Sequence, residues 1–171
     1  MNKSFVAVLM GSDSDLNIME ATFSELKKLE VPFEGKILSA HRTPELLIQY
    51  IEHAEQRGAA IFIAAAGLAA HLAGSVAAHT LKPVIGVPIN ASGLGGLDAL
   101  LSTVQMPGGI PVACTTIGKS GAKNAALLAT QILAISDDHL KNKLVEQRAE
   151  KRKELTLTDQ KLQERLMISA V

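Results

Sequence analysis

The sequence lacks the residues that several common kinds of site require. Its 171 residues include one cysteine, Cys114, which excludes an intramolecular disulfide, and no grouping of Cys and His has the spacing of zinc ligands. We expect Cys114 to be a small buried residue of an apolar segment. With no tryptophan and one tyrosine, the chain offers no evident stacking platform for a flavin.

An excess of charge of one sign is also missing. Lys+Arg and Asp+Glu number 17 each, so nothing supplies the overall positive field that usually attracts nucleic acid or anionic membranes. We therefore expect neither partner, and a charged ligand must be bound locally. The N-terminal apolar run is too short for a signal peptide, and acids follow it closely, which predicts a reducing, cytoplasmic setting.

One apolar stretch, residues 59–78, has the length of a membrane span, and His71 is its only strongly polar side chain. Its many alanines, with Gly67 and Gly74, favour a buried strand, a glycine turn and a helix of small residues.

Short apolar runs recur along the chain and alternate with segments of helical spacing. None shows a clean period-two alternation, as expected for strands buried on both faces. The alternation predicts one α/β domain: a three-layer α/β/α sandwich around a parallel sheet with right-handed crossovers. The predicted strands are 4–11, 33–39, 60–67, 82–88 and 109–118, and helices are predicted over 14–30, 45–57 and 122–135.

The C-terminal part differs in composition. We divide the chain into a core, residues 1–136, and a C-terminal helix and tail, residues 137–171. The helix from about Asp137 is strongly charged and carries few apolar residues, so it lies on the surface or embraces another subunit. The final segment restarts after Thr156 and is predicted to be a mobile tail.

Polar and glycine residues concentrate in the turns that follow the predicted strands. Ligands bind at the carboxyl ends of strands in an open parallel sheet, so this edge is the predicted functional edge. Its turns are "GSDSD" (11–15), "SAHRTP" (39–44), "AGLAAHLAG" (66–74), "NASGLGG" (90–96) and "GKSGAKN" (118–124).

The turn "GSDSD" holds more capping-type residues than one helix needs. Asp13 or Ser14 would suffice as a cap. Ser12 could hold a phosphate at the helix start, whereas Asp15, which phosphate would repel, suits sugar hydroxyls. The turn is not a P-loop, because no Gly-Lys-Ser/Thr follows, and the chain has no G-x-G-x-x-G.

The turn "SAHRTP" joins a predicted strand to a predicted helix. Ser39 or Thr43 can cap that helix and Pro44 fits its first position, but capping leaves His41 and Arg42 unexplained. The guanidinium of Arg42 can bind two phosphate oxygens, and His41 can exchange protons near neutral pH.

A second histidine, His71, follows the third strand among alanine, leucine and glycine. It is either a buried histidine bonded to the backbone or the only polar group that faces a flat ligand. The remaining histidines fall within helical segments and are interpreted as structural or solvated: His53, His79 and His139.

Taken in order, these segments resemble a known family, the 5-(carboxyamino)imidazole ribonucleotide mutases of purine biosynthesis (PurE, class I). The resemblance covers roughly residues 4–135 and rests on order and spacing. GSDSD, SAHRTP and QMPGGIPV are highly specific together, although each is weak alone. The matching segments are "VLMGSDSD", "SAHRTP", "AAHLAG", "GVP", "GLDALLSTVQMPGGIPVA" and "NAALLATQIL".

The resemblance implies a flavodoxin-like fold and a homo-octamer with active sites where subunits meet. It implies interconversion of 5-(carboxyamino)imidazole ribonucleotide and 4-carboxy-5-aminoimidazole ribonucleotide without metal, ATP or organic cofactor. It also implies a set of site residues: the catalytic histidine His41, a second active-site histidine His71, and the substrate-binding positions Ser12, Asp15, Ser39, Ala40 and Arg42.

The implied chemistry requires one proton to reach nitrogen and another to leave carbon, so we expect His41 to serve as both acid and base. Released carbon dioxide needs a small dry chamber, which residues 64–74 could line and the "QMPGG" loop could close. Ala65 and Leu68 stand where the family is expected to have glycine, and Ala73 where proline is frequent. Leu68 is expected to matter most, because a large side chain beside a tight turn could reshape the chamber.

Two other functions remain possible from sequence. A related carboxylase adds carbon dioxide directly to aminoimidazole ribonucleotide, but that class typically resembles SAHK, so Arg42 and the following Thr-Pro favour the mutase. A non-catalytic nucleotide-binding module could use the same fold. It would leave His41 and His71 without a role.

Overall fold

Five parallel strands form the centre of the computed structural model, which describes residues 4–168. Their order is β2-β1-β3-β4-β5, the order of flavodoxin-like doubly wound sheets, so the predicted fold is confirmed. The strands are β1 (Phe5–Met10), β2 (Phe33–Ile37), β3 (Ala59–Gly67), β4 (Val84–Ile89) and β5 (Ala113–Cys114).

Helices cover both faces of the sheet. One layer contains α1 (Leu16–Lys28) and α5 (Lys119–Leu133), with α6 (Asp138–Ile168) outside it, and the other layer contains α2 (Pro44–Gln56), α3 (Leu72–Ala77) and α4 (Leu97–Val104). Helix α2 begins with Pro44 at its first position, as expected.

The central strands are buried on both faces. Along β1, Val6 and Val8 pack with α1 and α5, whereas Ala7 and Leu9 pack with α2 and α3. Both sets therefore have to be apolar, which explains the lack of alternation in the sequence. Each fully buried Val, Leu or Ile side chain stabilises the fold by about 1.5–3 kcal/mol.

The edge strands depart from the prediction. In β2 the residues from Gly35 to Ile37 are exposed, because β2 has a neighbouring strand on one side only. Strand β5 pairs with β4 through Ala113 and Cys114 alone, so the strand predicted over 109–118 is wrong outside these residues. Cys114 is half-buried rather than buried, and burial raises the pKa of its thiol.

The C-terminal helix is longer than predicted. Helix α6 runs without interruption through Thr156, so the predicted restart is wrong as far as residue 168, and residues 169–171 lie outside the described part. The hydroxyls of Thr156 and Thr158 donate to the carbonyl oxygens of Arg152 (3.1 Å) and Glu154 (2.8 Å), which keeps both threonines compatible with a helix.

The apolar stretch 59–78 forms β3, a turn and α3, as expected. Among residues 4–168, no helix combines the length and the apolar character needed to cross a bilayer.

Candidate active site

A cavity of about 430 Å³ lies beyond the carboxyl ends of β1 and β3. This is the point where the strand order reverses, the usual ligand site of doubly wound sheets. All of the site residues predicted from sequence line it: Ser12, Asp15, Ser39, Ala40, His41, Arg42 and His71. The structure therefore brings the three N-terminal turns of the predicted functional edge together.

The first turn is built by a capping box. Ser12 is the N-cap of a short 3₁₀ turn (Asp13–Asp15), and its Oγ accepts from the N–H of Ser14 at 3.3 Å. In return, Asp15 Oδ2 accepts from the N–H of Ser12 at 3.1 Å. The capping box therefore uses Ser12 and Asp15, the two residues that we predicted to bind substrate. Asp13, a cap candidate from the sequence, also contributes, because its Oδ1 accepts from the Ser14 N–H at 3.0 Å.

Asp15 is the buried carboxylate of the cavity, with 4% of its surface exposed. Burial is the largest influence on this group and raises the pKa of Asp15, against hydrogen bonds from Ser12, Ser14 and Gly11 and the positive charge of Arg42. The capping bond from the Ser12 N–H goes to Oδ2 of this carboxylate, which lines the cavity.

The second turn is held by its own side chains. Ser39 Oγ accepts from the backbone N–H groups of His41 (3.3 Å) and Arg42 (3.2 Å). Thr43 Oγ1 accepts from the Ser39 N–H at 3.0 Å and makes no capping bond to α2. These bonds fix the backbone that carries His41 and Arg42.

Arg42 crosses from the second turn to the first. One terminal nitrogen, Nη2, donates to the carbonyl oxygen of Gly11 at 2.6 Å. Among the described residues this is the guanidinium's only hydrogen bond, so the other N–H groups remain for an anion in the cavity.

The two predicted histidines meet in the cavity. His41 Nε2 and His71 Nδ1 lie 2.8 Å apart, and the rings are nearly perpendicular, with centroids 4.9 Å apart. One nitrogen must donate and the other accept, so the pair shares a proton. Both side chains are exposed at the cavity, which rejects the interpretation of His71 as a buried histidine bonded to the backbone.

The third turn leads from β3 into α3. A Cβ on Gly67 would lie 2.6 Å from Ala91 Cβ and 3.2 Å from the Ile89 carbonyl oxygen, so only glycine fits there. The next residue, Leu68, has φ of 56° and lines the cavity. Ala65 and Ala73, the other departures from the family pattern, are buried and do not line it.

Several predicted parts of the edge lie elsewhere. Of the fourth turn, Ala91 alone lines the cavity, and the fifth turn, 118–124, does not reach it. No residue of the "QMPGG" loop lines the cavity, and Gly109 borders a separate cavity beside Pro83. The expected closure by this loop is therefore wrong for the single chain.

The remaining histidines behave as interpreted from sequence. His79 Nδ1 lies 2.8 Å from the Ser75 carbonyl oxygen, and His139 Nε2 lies 3.1 Å from Glu30 Oε2. His53 is exposed on α2. In the part of the chain from 4 to 168, no group of three or more His, Cys, Asp or Glu could hold a metal ion.

The sequence did not point to every lining residue. Gly11, Ser14, Ala66 and Ala69 also line the cavity and belong to the turns already singled out, so position at a strand end was the available signal. Ala91 has no chemical signal of its own. It reaches the cavity because β4 pairs with β3.

Comparisons with known proteins agree with this geometry. The family model described as AIR carboxylase (AIR, aminoimidazole ribonucleotide) matches residues 5–154. The N5-carboxyaminoimidazole ribonucleotide mutase of Bacillus subtilis is 54% identical over 143 residues, which cover 84% of this chain and 88% of that protein. The mutase of Methanocaldococcus jannaschii is 50% identical over 159 residues, which cover 93% of this chain and 98% of that protein.

A solved structure has the same fold. The crystal structure of Treponema denticola PurE superposes with a TM-score of 0.84 at 30% identity, covering 94% of this chain and 99% of that chain. From the matched family model, the relatives at 50% identity or more and this superposition, we conclude that the chain belongs to the AIR carboxylase (PurE) family.

Proposed function

We propose that the chain is a mutase that converts 5-(carboxyamino)imidazole ribonucleotide to 4-carboxy-5-aminoimidazole ribonucleotide. The observation that carries the proposal is the His41–His71 pair, 2.8 Å apart in the cavity that also holds Arg42. The mutase names of relatives at 50–57% identity support it. Substrate and product are isomers, so the reaction balances without a redox partner or a phosphate donor.

The proposed binding mode places the nucleotide between the first two turns. The remaining N–H groups of Arg42 hold the phosphate, with the hydroxyls of Ser12 and Ser39 nearby. Asp15 accepts from the ribose hydroxyls through its second oxygen, and Ala40 gives the wall a small side chain. The hydroxyl of Ser12 has to leave Asp13 Oδ1, to which it donates at 3.0 Å, before it can reach a phosphate.

The reaction then needs two proton transfers, and we assign both to His41. The bond between the exocyclic nitrogen and the carboxylate carbon breaks, its electron pair stays on nitrogen and takes a proton from His41, and carbon dioxide is released. Ring carbon four then attacks the carbon dioxide, and His41 takes back the proton that this carbon loses. Protons and electrons balance over the two steps.

His71 has a supporting role in this proposal. Its Nδ1 faces His41 Nε2, the nitrogen that would otherwise rotate freely into the open cavity. The shared hydrogen bond sets the orientation of the His41 ring and determines which nitrogen carries its proton. His71 can also supply or accept that proton as His41 cycles.

We further propose that the chain works as a homo-octamer whose active sites lie near subunit contacts. Large apolar side chains outside α6 are exposed on the single chain, as expected for surfaces that subunits cover. Apart from Leu68 at the cavity, they are Leu16, Ile37, Leu46, Leu81, Leu94, Leu97, Leu101, Val104 and Ile135. The "QMPGG" loop, which does not close the cavity of its own subunit, is free to do so for a neighbour.

The C-terminal helix fits the same assembly, since we place the boundary between core and helix at residue 136. Residues 151–167 are fully on the surface and include several exposed apolar side chains, which are Leu155, Leu157, Leu162, Leu166 and Met167. We propose that they pack on neighbouring subunits. Analytical ultracentrifugation of the full chain against a chain ending at residue 150 tests this: a species of about eight 18.1 kDa chains is expected for the former, and its loss for the latter. A monomeric full chain would contradict both statements.

The deciding experiment compares two substrates. The purified protein is incubated with 5-(carboxyamino)imidazole ribonucleotide, and separately with aminoimidazole ribonucleotide and bicarbonate. The mutase forms the carbon-carboxylated product rapidly from the first mixture only. Rapid formation from the second mixture would instead establish the direct carboxylase, the activity for which the matched family is named.

A further inference from the structure

Leu68 combines a strained backbone conformation with an exposed apolar side chain. Its φ of 56° lies in the left-handed region, where the Cβ of an L-residue approaches a carbonyl oxygen closely. Its apolar side chain is 55% exposed. A strained residue at the rim of a candidate site is a reason to look for a function.

The turn itself does not require a leucine. Gly67 must approach β4 closely, and the His71 N–H donates to the Ala69 carbonyl oxygen at 2.8 Å, so the backbone is fixed on both sides of Leu68. Glycine would adopt the same φ without strain. Among residues 4–168, the other non-glycine residue with positive φ is Glu30, and its carboxylate has partners in Lys143 and His139.

The position of Leu68 gives its side chain a use. It lines the same cavity as His41 and His71, beside small alanines. Leu72 also lines the cavity, but it is 2% exposed and belongs to the core. Leu68 is thus the large apolar side chain at the open rim of the cavity, three residues before His71 in the sequence.

We propose that Leu68 is the apolar cover of the cavity: it keeps water from the reacting atoms and retains carbon dioxide between the two half-reactions. It thereby determines whether the carboxylate is transferred or lost. This inference rests on the proposed mutase function.

The loss has a defined chemistry. The bond between nitrogen and carboxylate breaks as before, and the electron pair on nitrogen takes the proton from His41. If carbon dioxide then escapes, aminoimidazole ribonucleotide is released, and His41 regains its proton from water and not from ring carbon four. An open cavity also lets dissolved carbon dioxide enter in the place of the molecule released.

An experiment with labelled bicarbonate measures both the escape of carbon dioxide from the cavity and the entry of dissolved carbon dioxide. Unlabelled 5-(carboxyamino)imidazole ribonucleotide is converted in buffer containing ¹³C-bicarbonate, and mass spectrometry reports the label in the product and the share of aminoimidazole ribonucleotide. Short reactions, corrected for the spontaneous decay of the substrate, are compared for wild type, Leu68→Gly, Leu68→Asn and Leu68→Met. Glu30→Gly is the matched control, because Glu30 is the other non-glycine residue with positive φ among residues 4–168 and does not line the cavity.

We expect Leu68→Gly and Leu68→Asn to raise both the label in the product and the share of substrate lost as aminoimidazole ribonucleotide by about tenfold. Leu68→Met and Glu30→Gly should stay near wild type in both quantities. The midpoint of thermal unfolding should not fall in Leu68→Gly, since glycine relieves the strain. An unchanged label in Leu68→Gly, or a change in its oligomeric state without a change in label, overturns the inference. Absence of product from the wild type overturns the mutase function and this inference together, so the two failures are distinguishable.

Discussion

The cavity edge and helix α6 both depend on polar contacts, but the two regions differ in how much of their surface is buried. At the cavity, Asp15 is 4% exposed and follows the buried strand β1, whereas His41 and Arg42 are exposed and follow the edge strand β2. Helix α6 buries Leu140 alone among residues 138–167. Its other contacts with the core include the packing of the partly buried Leu144. The polar contacts include Glu30 with Lys143 (2.6 Å) and His139 (3.1 Å), Lys28 with Glu150 (3.6 Å), and Gln147 with Glu25.

The two regions therefore use polar contacts for different purposes: those at the cavity position side chains, and those along α6 attach the helix to the core. Hydrogen bonds within the first two turns fix the backbone at the cavity, which keeps its side chains within the distances that proton transfer requires. Exposed ion pairs give little free energy, because water screens them and long side chains lose entropy in forming them. Substitutions at the cavity should therefore change turnover without changing stability, and substitutions along α6 should do the reverse.

The largest effect is expected for His41→Asn. Turnover should fall by about 10²–10⁴-fold, because the proposed acid and base is removed, while the exposed side chain contributes little to folding. Steady-state kinetics measures the turnover, and thermal unfolding measures the stability. His53→Asn, an exposed histidine on α2, is the control and should retain wild-type turnover. Near-normal turnover of His41→Asn removes His41 from the acid-base role.

Arg42→Ala should act on binding. Loss of the charged hydrogen bonds to phosphate should weaken nucleotide affinity by about 10- to 100-fold. Isothermal titration with substrate or product measures it, and Arg152→Ala, an exposed arginine on α6, is the control. Unchanged affinity in Arg42→Ala contradicts the phosphate contact.

Leu140→Ala should affect stability instead of chemistry. The side chain is 7% exposed and packs with the α1 and α5 cluster, so its truncation should cost about 2–4 kcal/mol of unfolding free energy. Urea unfolding measures the cost, and turnover per folded molecule should remain at the wild-type level. A loss below about 1 kcal/mol would show that α6 docks without this anchor.

Glu30→Gln should give the smallest effect, and one that depends on pH. Hydrogen bonds from Lys143 and then His139 lower the pKa of Glu30 in the folded state. A lowered pKa stabilises the fold above the unfolded pKa, and this contribution disappears as pH falls through the folded value. The wild type should therefore unfold at a slightly higher temperature than Glu30→Gln at pH 7, with convergence in acid and in high salt. A difference that persists in acid contradicts this account.

The sequence predicted a large part of the fold because strand burial and helical spacing are local patterns. The runs that became β1, β3 and β4 were recognisable as buried strands, α1 and α2 were recognisable from their apolar stripes, and α5 from its richness in alanine and leucine. The sheet edges were not, because whether a strand has one neighbour or two depends on topology. This is why β2 proved exposed and β5 shrank to Ala113–Cys114.

For the candidate site, the sequence by itself determined which side chains were available at the carboxyl edge: a carboxylate, an arginine and two histidines. The tertiary structure alone decided which of them meet. The reversal of strand order between β1 and β3 opens the crevice there, so His41 and His71, 30 residues apart, come within 2.8 Å, while the fifth turn stays away. The left-handed backbone of Leu68 was likewise visible only in the structure, where it follows Gly67, whose close approach to Ala91 and Ile89 leaves no room for a Cβ.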